Sequence, residues 1–143
     1  MKFSKKCVYA LRATIYIAKS NSNGYLSIGE ISDELKISFH FLTKILQTLT
    51  QHKLMKSYRG PNGGINLAKP ASDITVLEIV NIIDGEKIFR ECILGLPTCE
   101  EKHPCPLHDK WISSCEDLKN NLASLTIKDL VLDLKKLNLR LTA

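Results

Sequence analysis

The chain has 143 residues, 44% of them hydrophobic, and a formal net charge of +5. A chain of this length can build one domain, or a small domain with an appendage that needs a partner. No uninterrupted apolar stretch reaches the roughly twenty residues of a membrane helix, and Arg12 and Lys19 interrupt the apolar pattern of the first segment, unlike the core of a signal peptide. We therefore expect a cytoplasmic protein that does not enter a membrane.

The positive charge is confined to the first half of the chain. Residues 1–70 hold eleven Lys and Arg against three Asp and Glu, a net +8, whereas residues 71–143 hold nine against twelve, a net −3. This asymmetry predicts a first half that binds a polyanion such as nucleic acid and a second half with another task. The charge count alone does not exclude the alternative that these basic residues form an ordinary solvent-exposed surface without a ligand.

The first half predicts three helices. An apolar stripe with spacings of three and four predicts a first helix that ends within residues 21–24. Ser27 and Glu30 have the spacing of a capping box and begin a short second helix. A third helix begins at Ser38 and runs to about His52. Two helices joined by a brief turn predict a helix-turn-helix.

The outward side of the third helix carries hydrogen-bonding side chains that suit base edges and phosphates in the major groove of DNA. An ordinary polar helix surface usually mixes Glu with Lys, and residues 38–64 contain neither Asp nor Glu. We therefore favour a recognition helix over an ordinary surface. Its outward residues are His40, Thr43, Lys44, Gln47 and Gln51.

A β-hairpin is predicted next, with strands at residues 55–59 and 65–69 around a glycine-rich turn. Arg59 at its base can reach a narrow minor groove, where the negative potential attracts a guanidinium group. A loop that cradles a nucleotide phosphate needs a Gly-Lys-Ser/Thr ending and a following helix, and neither is present. The hairpin therefore predicts the wing of a winged helix.

Three more helices are predicted in the second half. A capping-box pattern at Thr75 opens a helix that closes at Gly85. Pro106 marks the start of a long helix to about residue 122, and its apolar stripe predicts packing against the same helix of a second subunit. A last helix begins at Thr126.

Cys92, Cys99, Cys105 and His108 lie within seventeen residues, on a segment whose glycine and prolines exclude a single helix. Thiolates and an imidazole that converge on an irregular loop are the ligands of a zinc ion or an iron–sulfur cluster. Five cysteines are an odd number for a disulfide framework, which favours metal ligands or redox-active thiols. The spacing of these residues alone favours a zinc ion and an iron–sulfur cluster nearly equally.

The chain offers no constellation of nucleophile, base and carboxylate, so we expect no enzyme. Cys7 and Cys115 lie on apolar helical stripes. A free cysteine on such a stripe packs as a small hydrophobic residue, which predicts structural positions for both.

The chain resembles the IscR and NsrR type of bacterial winged-helix transcription regulators over nearly its whole length. The resemblance is carried by the cysteine triplet with its histidine and by the segments MKFSKKCVYALRA, ISDELKISFHFLTKILQTL, YRGPNGGINLAKP, ITVLEIVNIIDG and TIKDLV. We expect a mainly α fold with a small β-hairpin. Residues 1–84 would form the winged helix-turn-helix DNA-binding domain, 85–108 the cluster-binding loop, and 109–143 the dimerisation helix and C-terminal helix.

The resemblance implies a homodimer that binds a pseudo-palindromic operator in double-stranded DNA. It also implies a cysteine-ligated iron–sulfur cluster that controls DNA affinity in response to cluster supply, nitric oxide, iron or redox state. Sequence-selective members can carry a glutamate at the place of Thr43, and selectivity carried by that carboxylate is not expected here. The expected DNA-binding residues are Ser38, His40, Thr43, Lys44, Gln47, Arg59, Gly60, Pro61, Asn62 and Gly63.

The metal site departs from the family pattern in its first gap, where six residues rather than five separate the first two cysteines. Relatives with a two-iron cluster use a histidine two residues beyond the last cysteine, which His108 matches. Nitric-oxide sensors complete a four-iron cluster with an aspartate of the partner's first helix, and Val8 stands at that place. We therefore expect a 2Fe–2S rather than a 4Fe–4S cluster, with Cys92, Cys99, Cys105 and His108 as ligands.

Other hypotheses remain at this point. The site could hold zinc, or the cysteines could act as thiol sensors without a metal, and the winged helix could bind a protein instead of DNA. Iron and sulfide analysis of anaerobically purified protein distinguishes a cluster from zinc. A brown protein whose sulfide content matches its iron content holds a cluster, whereas a colourless protein with stoichiometric zinc does not. If the protein neutralises about six DNA phosphates, a plot of the logarithm of the binding constant against the logarithm of the salt concentration has a slope of about −5. A protein-binding module has no specific affinity for duplex DNA.

Overall fold

The computed structural model describes residues 2–20, 23–97, 101–138 and 140–142. These residues form six α-helices and an antiparallel β-hairpin, which confirms the expected mainly α fold. The helices are α1 (Lys5–Ser20), α2 (Ile28–Leu35), α3 (Phe39–Gln51), α4 (Val76–Ile83), α5 (His108–Ser124) and α6 (Ile127–Lys136), and the strands are β1 (Met55–Tyr58) and β2 (Gly64–Leu67). Within the described ranges no helix is both long and apolar enough to cross a membrane.

Serine caps set the starts of the helix-turn-helix. The hydroxyl groups of Ser27 and Ser38 each accept the backbone N–H three residues on, at 3.1 and 3.2 Å, so α2 and α3 begin where predicted. Lys36 ends α2 in the left-handed conformation, with φ 55°, and its N–H donates to the Ser32 carbonyl. The Ser32 hydroxyl donates to the carbonyl of Ile37 at 2.6 Å, which closes the turn into α3.

Threonine caps begin α4 and α6 as predicted. At α6 the capping box is complete, because Asp129 accepts the N–H of Thr126 and Thr126 accepts that of Asp129. At α4 the Thr75 hydroxyl accepts the Glu78 N–H at 3.1 Å. The Glu78 carboxylate pairs with the Lys69 ammonium at 2.8 Å, an interaction that the capping-box pattern does not predict.

The start of α5 was predicted wrongly. The helix begins at His108 rather than Pro106, and Leu107 occupies the N-cap position, its carbonyl accepting the Trp111 N–H at 2.8 Å. Pro106 instead follows Cys105 in a tight turn, which the His108 N–H closes by donating to the Cys105 carbonyl at 3.0 Å. The fixed φ of proline suits the second position of such a turn as well as a helix start, so sequence alone does not separate the two.

The main hydrophobic core joins α1, α2 and α3 to the hairpin and α6. Ile127 and Val131 bring α6 into this core, and the Ile127 N–H donates to the Ile74 carbonyl at 2.8 Å. The last helix therefore packs on the same body as the helix-turn-helix. The division into residues 1–84, 85–108 and 109–143 stays a prediction. The largest fully buried side chains are Ile31, Leu42, Ile45, Leu46, Leu49, Leu54, Met55, Ile65, Ile74, Ile79, Val80 and Ile127.

A second apolar cluster lies where α1, α4 and α5 meet. Cys7 and Phe89 are buried in it, and Leu118 of α5 packs against it. Burial, and secondarily the nearby Asp84 carboxylate, raise the pKa of Cys7 to about 12, so this thiol stays protonated. Cys115 is also buried. Both cysteines thus take the structural positions that the apolar stripes predicted.

The hairpin is anchored to the segment that precedes α2. Leu26 and Ile65 exchange two backbone hydrogen bonds, at 3.0 and 2.8 Å, beside the paired strands β1 and β2. Gly64 lies so close to this segment that a Cβ atom on it would overlap the Leu26 carbonyl group. A residue without a side chain is therefore required at position 64.

We expect Gly64→Ala to lower the free energy of unfolding by about 1–3 kcal/mol, because the added methyl group forces the hairpin away from Leu26. Gly29→Ala on α2 is the matched control, since a Cβ there meets no atom within 4 Å and alanine favours a helix. Urea unfolding of both variants measures the difference. Equal midpoints for Gly64→Ala and Gly29→Ala would contradict the close approach.

Candidate nucleic-acid interface and cysteine loop

The outward side of α3 is available to a ligand. His40, Lys44 and Gln47 are exposed, while Thr43 is half-buried and its hydroxyl donates to the Phe39 carbonyl at 2.8 Å. Ser38 lies at the start of the same helix, where its hydroxyl caps the backbone. The predicted recognition residues thus lie on α3 and its N-cap, and the Ser38 and Thr43 hydroxyl groups already make local hydrogen bonds.

The wing places Arg59 and the turn after it at the surface. Gly63 closes this turn by donating its N–H to the Gly60 carbonyl at 2.9 Å. Asn62 takes a left-handed conformation, with φ 64°, which asparagine tolerates better than most residues. Arg59, Gly60, Pro61 and Asn62 are exposed and Gly63 is half-buried.

A groove of about 540 Å³ separates α3 from the wing. The helix contributes Thr43 and Gln47 to its lining, and the wing contributes Arg59, so the structure brings these three predicted residues to one groove. The lining also includes residues that were not among the expected DNA contacts. These are Ile28, Leu46, Thr50, Gln51, Ser57, Tyr58, Gly64 and Ile65.

Three cations on α3 and the wing are not paired with carboxylates of the described residues. Lys44, Lys56 and Arg59 are exposed, and none of them takes part in the ion pairs found among the described residues. No carboxylate lies between residues 38 and 64 to neutralise them. This side of the molecule therefore suits the phosphates of a nucleic acid.

The cysteine loop brings two of the four predicted metal ligands together. The thiols of Cys92 and Cys105 are hydrogen-bonded, and the backbone N–H groups of Leu96, Leu94 and Gly95 point at the Cys92 sulfur. These N–H groups, with Leu96 first, and the Cys105 thiol hold the pKa of Cys92 below its usual value against the opposing effect of burial. The loop thus favours a thiolate at Cys92.

The other two predicted ligands stand differently. Cys99 lies outside the described residues. His108 is the first residue of α5 and follows the Cys105 turn directly. In the part of the chain that the structure describes, no three His, Cys, Asp or Glu side chains lie close enough together to hold a metal ion. The predicted set needs Cys99 to be complete.

The start of the loop is fastened to α5. The indole N–H of Trp111 donates to the Glu91 carbonyl at 2.8 Å, immediately before Cys92. Glu86 bonds the Lys119 ammonium at 3.3 Å and the Arg90 guanidinium at 2.9 Å. These contacts tie the segment before Cys92 to α5.

The family of the chain follows from comparison with known proteins. Residues 3–133 match the model of a family described as "Rrf2: Iron-dependent Transcriptional regulator". The chain belongs to the Rrf2 family. As a member it is a helix-turn-helix transcription regulator rather than an enzyme, and membership implies DNA binding. The recognised likeness to IscR-type regulators is confirmed.

Individual Rrf2 relatives resemble most of the chain. The HTH-type transcriptional regulator IscR of Klebsiella pneumoniae (strain 342) is 30% identical over 131 residues, which cover 92% of this chain and 80% of that regulator. CymR, the global cysteine regulator of B. subtilis, has a TM-score of 0.77 and 29% identity, with coverage of 92% and 96%. IscR of T. potens has a TM-score of 0.77 at 23% identity, with coverage of 98% and 93%, and supports the winged-helix fold alone.

Proposed function

We propose that this Rrf2 protein is a DNA-binding regulator whose operator affinity is controlled by a cysteine-ligated iron–sulfur cluster. The observation that carries the proposal is the contact between the Cys92 and Cys105 thiols on a loop fastened to α5. In this proposal the loop at residues 85–108 is the sensor, and residues 1–84 form the DNA-binding domain. Such a regulator acts where the genome lies, in the cytoplasm.

Operator recognition uses α3 and the wing. His40, Thr43 and Gln47 face base edges of the major groove, and Lys44 contacts a phosphate. Arg59 enters the adjoining minor groove from the wing, with the backbone of residues 60–63 beside the phosphates. A homodimer presents two such units about 34 Å apart to the halves of a pseudo-palindromic operator.

The residues present fit a thiolate-bound metal centre. Cys92, Cys99 and Cys105 would supply three sulfur ligands and His108 the fourth ligand. N–H groups directed at a ligating sulfur stabilise its negative charge and tune the metal it holds. An iron–sulfur cluster, when bound, supplies redox activity and sensitivity to iron, oxidants or nitric oxide. We favour a 2Fe–2S over a 4Fe–4S cluster, because Val8 stands where the four-iron relatives carry a ligating aspartate and its side chain cannot coordinate iron.

The chain's own contacts connect this loop to the DNA-reading surface. Trp111 fastens the loop to α5, and α5 packs on α4. At the end of α4 the Asp84 carboxylate accepts the backbone N–H of Ser4 at 2.9 Å and also the Ser4 hydroxyl, which caps α1. Because α1 packs against α3 in the main core, a shift of α5 alters the placement of the recognition helices in the dimer.

Iron and sulfide analysis of anaerobically purified protein tests the cofactor. We expect a brown protein with equal amounts of iron and sulfide, and Mössbauer spectra distinguish two-iron from four-iron clusters. Colourless protein with stoichiometric zinc would overturn the cluster assignment in favour of a zinc site.

A metal-free thiol switch is the second candidate, since the Cys92 and Cys105 thiols are hydrogen-bonded neighbours. A two-electron oxidant would join them as a disulfide, with loss of two protons. Peptide mapping that finds this disulfide in colourless, metal-free protein would favour the switch. Iron-loaded protein without the disulfide favours the cluster.

A further inference from the structure

We propose that Tyr25 is a positioning residue for DNA binding, because its ring stacks on Tyr58 and so fixes the direction in which Arg59 leaves the wing. Tyr25 lies before α2, outside both the recognition helix and the wing. The inference rests on the proposed DNA binding and adds to it a residue that acts through another.

The rings of Tyr25 and Tyr58 are stacked. Their centroids are 5.5 Å apart and their planes differ by 27°. Tyr58 is 53% exposed, so burial in the core does not hold its ring in place. Its partner across the hairpin is Gly64, which has no side chain to pack against it. Tyr25 therefore provides the aromatic contact that the opposite strand does not.

The stack is anchored beside hydrogen-bonded backbone at Tyr25 and extends to the turn of the wing at Tyr58. On one side Tyr25 directly precedes Leu26, whose backbone is hydrogen-bonded to Ile65. On the other side the Tyr58 ring lies near Gly60, since a Cβ atom added to Gly60 would be 3.7 Å from the ring. Arg59 directly follows Tyr58 in the chain, so the stack holds the residue from which Arg59 leaves the strand.

A lysine extends the arrangement. The Lys56 ammonium lies 5.9 Å from the centroid of the Tyr25 ring, within the range of a cation–π contact. Lys56 is exposed and makes no ion pair among the described residues. Lys56 therefore adds a contact of its own to the Tyr25 ring and helps to hold the stack in place.

The effect on binding follows from preorganisation. In the wild-type chain the wing is already ordered before it meets DNA, whereas without the stack its ordering opposes association. An aromatic pair of this kind corresponds to a change of about 3–10-fold in an equilibrium constant. Because the stack acts through Arg59, its loss should matter little once Arg59 has been removed.

A double-mutant cycle in the 143-residue chain tests this role of Tyr25. The probe is a duplex of about 30 base pairs, selected by the wild-type protein from a random pool, long enough for two half-sites. We expect Tyr25→Ala to weaken binding about 3–10-fold and to reduce the salt slope. Tyr25→Phe, which keeps the ring, should stay within about 2-fold of wild type. In an Arg59→Ala background Tyr25→Ala should cost less than about 2-fold.

Other results would overturn the inference. Unchanged affinity and salt slope in Tyr25→Ala would show that the stack does not position the wing. A loss in Tyr25→Phe as large as in Tyr25→Ala would assign the effect to the hydroxyl, and full additivity with Arg59→Ala would separate the two residues. If Tyr25→Ala does not fold, Tyr25→Leu keeps the apolar volume and completes the cycle. A wild-type chain that selects no duplex would overturn the proposed function itself.

Discussion

Substitution of Cys92 by alanine is expected to remove iron and sulfide from the purified protein completely and to leave it folded. Cys92 is the sulfur at which the N–H groups of Leu96, Leu94 and Gly95 converge and which Cys105 contacts, so no other described thiol can replace it. It is only half-buried and lies outside both hydrophobic clusters. The free energy of unfolding of the metal-free protein should therefore change by less than about 1 kcal/mol.

Iron, sulfide and visible absorption measure the loss, and thermal unfolding monitors the fold. Cys115→Ala is the matched control, because it removes a buried cysteine of α5 and should keep the full iron content. Cys92→Ala protein that still holds as much iron and sulfide as wild type would contradict the assignment of this ligand.

Arg59→Ala is expected to weaken operator binding about 10–100-fold and to reduce the magnitude of the salt slope by about 2, since a dimer loses the cation from both wings. Arg59 is exposed, lines the groove beside α3 and has no ion-pair partner among the described residues. The fold of the hairpin does not depend on it. Fluorescence anisotropy at several salt concentrations measures both effects.

Two controls separate the contact from net charge. Arg59→Lys keeps the charge but lacks the planar guanidinium, so it should retain the salt slope while losing part of the affinity. Lys136→Ala removes an exposed cation at the end of α6 and should change neither quantity appreciably. An Arg59→Ala protein with the salt slope of wild type would exclude the wing from the DNA contact.

Local patterns in the sequence were enough for most of the fold. Ser27, Ser38 and Thr126 cap helices where their spacing predicted, because a cap needs only residues three positions apart. Pro106 misled the prediction because proline fits a turn and a helix start equally well. The sequence predicted the start of α6, but a local pattern does not say which part of the protein the helix packs on, here the main core.

The sequence predicted which residues belong to the candidate site but not the contacts between them. Spacing identified Cys92 and Cys105 as candidate ligands, whereas their hydrogen bond and the N–H groups around Cys92 depend on the course of an irregular loop. The groove beside α3 contains Tyr58, and its stacking partner Tyr25 comes from a segment distant in the sequence. Contacts of this kind arise from tertiary packing, which no local pattern encodes.

In the proposed regulation, operator affinity depends on the state of the cysteine loop. This dependence is tested by measuring how one selected duplex binds to the same anaerobic sample before and after removal of its cluster. We expect the two affinities to differ by about 5–150-fold, the usual range of coupling between two sites, with Cys92→Ala matching the cluster-free protein. Equal affinities of the cluster-loaded and cluster-free forms would show that the loop does not control operator binding.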